Sequence, residues 1–177
     1  PDKPQGRKHV PTPSPVKQAA LGCGVPVLQP ARLRDDLSAL KAVGADLMVT
    51  CAYGQILTKE TLGLFPLGVW NVHASLLPKY RGAAPVAAAI AAGERETGVT
   101  IMKTDVGLDT GDIFLSAALP IEERDTCGTL TEKLSEAGAA LIVKALHAIA
   151  AGDVTHVKQG EGTLCRKVSR TQVDFSR

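Results

Sequence analysis

An α/β fold with a mostly parallel sheet is predicted by three observations. Short, unbroken apolar runs occur at 46–53 and 68–73, segments of helical period lie before and after them, and glycines punctuate the joins. The two runs have strand length without polar alternation, the pattern of parallel strands buried on both faces.

The elements follow in order. Residues 1–15 hold five prolines and the basic Lys3, Arg7 and Lys8, so this stretch is expected to be an exposed loop without regular structure. A short helix is expected through 19–21, ended by Gly22 and Gly24, and 25–29 reads as a short strand. Leu37, Leu40 and Val43 recur at helical spacing within 34–43, which Gly44 ends. The two buried strands come next. Pro85 suits the first turn of a helix, and the alanine-rich 86–92 carries it to Gly93. Strands at 98–103 and 113–118 are joined by the glycine-containing loop 105–112. Thr129 and Glu132 have capping-box spacing at the head of a long helix. Leu130, Leu134, Ala137, Leu141 and Ala145 form its apolar stripe, and Gly152 stops it. The polar, weakly patterned 158–177 reads as a linker leading elsewhere, and no internal repeat is present.

At 177 residues the chain is long enough for one well-cored domain, and its 45% apolar and 21% charged residues are those of an ordinary globular protein. A net charge of +2 permits a nucleic-acid partner without arguing for one. Cys23, Cys51, Cys127 and Cys165 are scattered, with no C-x-x-C pair and no His at ligand spacing. A structural zinc site and a disulfide framework are therefore not expected, and a reducing, cytoplasmic compartment is. Apolar runs such as 83–92 are far shorter than a membrane span, and no signal peptide is visible. No membrane partner is expected, and a monomer is. The chain opens on Pro1 rather than Met, so an incomplete start is expected. Neither G-x-x-x-x-G-K-[ST] nor G-x-G-x-x-G occurs, which leaves a nucleotide phosphate cradle unsupported.

Chemistry enters at the end of the second strand. Side chains alternate along a strand, so Asn71 and His73 point to one face while Val72 points to the other. Open α/β sheets place their ligand crevice at such C-terminal strand edges. There an amide N–H and an imidazole could serve a carbonyl under attack, the amide donating to a developing oxyanion and the imidazole supplying a charged donor or a proton. The loop Asp105-Val106-Gly107-Leu108-Asp109-Thr110-Gly111-Asp112 could bring a carboxylate inward, because glycines at 107 and 111 let the backbone turn tightly. Taken singly, each motif has a plainer reading. Asn-x-His at a strand end also serves turn capping, and Asp109-Thr110-Gly111 could be turn residues alone. An aspartic-protease reading of that tripeptide wants Ser or Ala next, where this chain has Asp112. His9, His147 and His156 show no partner pattern.

Together the motifs are far more specific. The run from Asn71 through Ser75-Leu76-Leu77-Pro78-Lys79-Tyr80-Arg81-Gly82 to Pro85 resembles the signature of the formyltransferase superfamily that uses 10-formyltetrahydrofolate. So do Glu96-Thr97-Gly98-Val99-Thr100-Ile101-Met102 and the 105–112 loop. The resemblance implies a Rossmann-like formyltransferase domain over 1–165, lacking its first strands, with 166–177 as a linker toward an absent C-terminal domain. By position, Asn71, His73 and Asp109 fall on the family's catalytic trio, and Ser75, Leu76, Leu77 and Pro78 on the segment lining its folate site. The loop at 1–17 resembles the branch of the family that formylates initiator methionyl-tRNA, and Arg7 falls on its tRNA-binding position. Folate and that tRNA are thus the implied partners, and no metal is implied. A family member using an amino sugar nucleotide or a glycinamide nucleotide, or a catalytically idle fragment, is the alternative.

Overall fold

A computed structural model of the chain describes residues 2–5 and 10–168. The chain forms two compact units, Pro1–Gly44 and Ala45–Arg177.

In the first unit, the proline-rich start is not a bare loop. Strand β1 (Lys3–Gln5) pairs antiparallel with β2 (Val10–Thr12), with Pro4 opposite Pro11. Alternate pairs of an antiparallel ladder exchange no hydrogen bonds, so two facing prolines remove no donor from it. Helix α1 (Pro15–Gly22) has Pro in its first turn, and its Ser14 cap accepts the Lys17 N–H. The strand expected at 25–29 is absent. Pro26 and Pro30 remove donors there, and Val25 and Leu28 remain exposed, so the segment has no face to bury. The helix expected over 34–43 is divided into a 3-10 turn (Leu33–Asp35) and α2 (Ser38–Val43). The Asp36 carboxylate accepts the Ser38 N–H at 2.8 Å, which starts the second piece afresh.

The second unit is built on a four-stranded sheet. Its elements are β3 (Met48–Cys51), α3 (Lys59–Leu62), β4 (Val69–His73), β5 (Arg81–Gly82), α4 (Pro85–Ala91), β6 (Glu96–Lys103), β7 (Ile113–Pro120), α5 (Cys127–Ala151) and β8 (Leu164–Cys165). The main sheet has the order β3-β4-β6-β7, and β5 pairs separately with β8. The α/β class holds, but the sheet is mixed. β3 and β4 are parallel, whereas β4–β6 and β6–β7 are antiparallel. The 104–112 connection is far too short for the crossover that a parallel β6–β7 pair would need.

Helix α5 covers one face of this sheet. Trp70 and Ile101 pack with Ala145 and Ile149, and Val99 packs with Leu130 and Leu134. Of the predicted stripe, Leu130, Leu134 and Ala145 are buried and Ala137 and Leu141 partly so, while Gly138 and Ile149 complete the buried face. Its cap lies one turn earlier than expected. Thr126 accepts the Thr129 N–H and Thr129 accepts the Thr126 N–H, so Thr129 is the inner half of the box. By length and composition α5 is apolar enough to cross a bilayer, unlike any run read from the sequence, yet here its stripe lies against the sheet. His156 also has a partner, since its ring stacks on Trp70 with centroids 5.8 Å apart. The opposite face of the sheet carries Thr50, Asn71 and Met102 in register, with His73 opposite Thr100.

Candidate active site

β4 places two polar side chains on that second face because Trp70 and Val72 take the apolar one. Asn71 is half-buried and His73 is 5% exposed. The Asn71 amide is oriented from behind. Thr50, one strand over, donates its hydroxyl to Asn71 Oδ1 at 3.0 Å, so the NH₂ end faces the site. That amino group lies 3.5 Å from Asp109 Oδ1, and with two hydrogens it keeps one donor for another acceptor.

His73 is fixed at one nitrogen. Its Nε2–H donates to the Tyr80 carbonyl at 2.9 Å; since a carbonyl only accepts, Nε2 carries the proton. Nδ1 is the nitrogen left to gain or lose one, and it stands 3.6 Å from Asp109 Oδ2. Catalytic contacts of this length often tighten only when substrate is bound. Tyr80 is itself held in a left-handed backbone conformation, φ 59°, with its hydroxyl donating to Glu94 at 2.7 Å. That bond to a carboxylate pushes the phenol pKa up.

Asp109 reaches the pair from the β6–β7 loop. Its own φ is +52°, a region that Asp adopts more readily than most residues. The carboxylate accepts the Gly82 N–H at 2.8 Å through the same Oδ2 that faces His73. The loop can pass so close only because of Gly111, where any Cβ would collide with the Lys103 carbonyl. Gly82 is constrained likewise. Its φ is +114°, and a Cβ there would strike the Cys165 carbonyl. Asp105, the loop's other acid, is used internally, accepting the Gly107 N–H and the Thr110 hydroxyl.

The structure therefore brings Asn71, His73 and Asp109 together. The segment 75–78 lies alongside but is turned inward at its start. Ser75 is fully buried and spends its hydroxyl on the Lys79 carbonyl, while Leu77 N–H donates to Thr100. Leu76 and Pro78 are partly exposed. Arg7 lies outside the described residues. Among the described residues no group of His, Cys, Asp or Glu is placed to hold a metal ion.

Sequence reasoning missed several participants. Thr50 became visible only once the β3–β4 register put it opposite Asn71. Backbone groups of Tyr80 and Gly82 carry no side-chain signature at all. Cys165 donates its thiol to the Tyr80 and Arg81 carbonyls at 3.3 Å, and burial pushes its pKa up, which keeps it a thiol.

This arrangement has relatives. A methionyl-tRNA formyltransferase of Symbiobacterium thermophilum is 50% identical over 161 residues, covering 90% of this chain and 49% of that protein. The chain spans about half to three fifths of the methionyl-tRNA formyltransferases it matches at 46–50% identity, namely 49%, 59% and 58% of their lengths. The structure of phosphoribosylglycinamide formyltransferase from Bacillus halodurans superposes with a TM-score of 0.65 at 31% identity, over 71% of this chain and 70% of that one. The formyltransferase PseJ from Anoxybacillus kamchatkensis, solved with a UDP-linked formamido sugar and tetrahydrofolate, gives 0.63 at 28% identity over 68% and 64%. Residues 1–146 match the formyl transferase family, and the chain belongs to it.

Proposed function

We propose that this chain carries the catalytic site for transfer of a formyl group from 10-formyltetrahydrofolate to the α-amine of methionine on initiator tRNA. The observation that carries the reading is the convergence of the Asn71 amide, the imidazole of His73 and the Asp109 carboxylate on one face at the end of β4. Its support for the acceptor is the set of methionyl-tRNA formyltransferases that match 90% or more of the chain.

The amine nitrogen attacks the formyl carbon, and the carbonyl oxygen becomes an oxyanion. Asn71 Nδ2–H and protonated His73 stabilise that charge. As the tetrahedral intermediate collapses, the bond from carbon to the folate nitrogen breaks. His73 passes a proton to that nitrogen from Nδ1, because Nε2–H is engaged by Tyr80. Asp109 holds the imidazolium in place and assists deprotonation of the amine. In this reading 75–78 lines the folate, Arg7 engages the tRNA, and 166–177 leads out of a catalytic part spanning 1–165. The enzyme acts as a monomer in the cytoplasm.

The test is formylation of methionyl-initiator-tRNA by the full-length protein, with 10-formyltetrahydrofolate as donor and Asp109→Asn as control. Transfer that falls steeply in the variant, to a small residual rate, supports both reaction and acceptor. Folate binding without transfer would reject the tRNA acceptor, and a sugar nucleotide would then be tried.

A further inference from the structure

The loop bearing Asp109 is held from outside itself. A left-handed backbone is unfavourable at a non-glycine residue, less so at Asp than at most, and contacts from the surroundings are needed to hold it. The Asp105 contacts close 105–110 but leave the Asp109 carbonyl untouched. Gln159 supplies the missing grip. Its amide NH₂ donates to the carbonyl oxygens of Asp109 at 3.1 Å and Gly111 at 2.6 Å.

The other end of that amide is occupied as well. Gln159 Oε1 accepts from Arg81 Nε at 3.0 Å and from the Arg81 terminal nitrogen at 2.8 Å. Arg81 only donates and the two carbonyls only accept, so the amide has one possible orientation. Arg81 is the neighbour of Gly82, whose N–H binds the Asp109 carboxylate. Asp109 is thus gripped at its carboxylate from Gly82 and at its carbonyl from Gln159, and Arg81 ties the two grips together.

We infer that Gln159 is a positioning residue, which with Arg81 locks the Asp109 loop in the geometry that sets its carboxylate against His73 and Asn71. The inference rests on the reading of Asp109 as a catalytic carboxylate. Gln159 touches none of the reacting atoms and acts through Asp109.

The variants are Gln159→Glu and Gln159→Ala in the full-length protein. Glu keeps the size and the Arg81 partner, so the fold is retained, but it lacks both donors and sets an oxygen against two carbonyls. In both variants kcat should fall about 10- to 100-fold while KM for the formyl donor stays within about twofold. The slow hydrolysis of 10-formyltetrahydrofolate, with water as acceptor, should fall by a similar factor, which frees the result from the identity of the amine. In an Asp109→Asn background, Gln159→Glu should cost roughly nothing further, since the loop would then position no carboxylate.

Two results would overturn the inference: kcat within about twofold of wild type in both variants, or an undiminished loss in the Asp109→Asn background. If the Gln159 variants alone are silent, the role of Asp109 survives. If Asp109→Asn is itself silent, both fall.

Discussion

β4 delivers Asn71 and His73 to the site through the period of a strand, whereas residues 157–165 reach the same place as an irregular strap. β4 is paired on both sides, parallel with β3 and antiparallel with β6, and its Trp70 and Val72 are packed under α5. The strand itself therefore places the polar pair, and Thr50 and the Tyr80 carbonyl only orient the two side chains. The strap is pinned point by point. Val157 bridges Ile113, Gln159 binds the Asp109 loop and Arg81, Thr163 accepts the Tyr80 N–H, and Cys165 bonds back to Tyr80 and Arg81. The difference teaches that this site has two kinds of order, one local and periodic, the other made of single contacts between segments about 45 to 85 residues apart.

Three variants sharpen that comparison, in descending order of effect. Asn71→Ala removes a proposed oxyanion donor and should lower kcat by about 10²–10³ with donor binding kept. A loss of less than about threefold in the transfer assay would remove Asn71 from the chemistry. Thr50→Val keeps the shape of β3 but frees the Asn71 amide to rotate, and roughly a three- to tenfold loss of kcat is expected. No change would mean that the strand alone orients Asn71. Thr163→Val deletes one pin of the strap at an exposed position, so about 0.5 kcal/mol of stability and little activity should be lost. Thermal melting and kcat together check it; a large fall in kcat would show that the strap is not pinned independently at each point.

The same contrast explains what could be read from the sequence. β4 was legible because an apolar run ending in Asn71-Val72-His73 states both its strand character and which residues share a face. The α5 stripe was legible for the same reason, through its helical period. The β6–β7 loop was half legible. Its glycines announced a turn, but which of Asp105, Asp109 and Asp112 turned inward came from the family resemblance, and the structure accounts for it by the internal use of Asp105. The strap was not legible. Gln159 and Thr163 are ordinary polar residues in a polar stretch, and their meaning lies in carbonyls and N–H groups that every residue possesses. The hairpin of β1 and β2 was missed because proline content argues against strands without revealing that Pro4 and Pro11 face each other.

The most direct measurement of the central claim, that Asn71, His73 and Asp109 act as one unit, is a double-mutant cycle between Asn71→Ala and Asp109→Asn. It is read as kcat for formyl transfer by the full-length protein. Groups that serve one transition state together are strongly non-additive, so the double variant should be within about tenfold of the slower single variant. Losses that multiply in full would show the two residues acting independently, and would contradict the account.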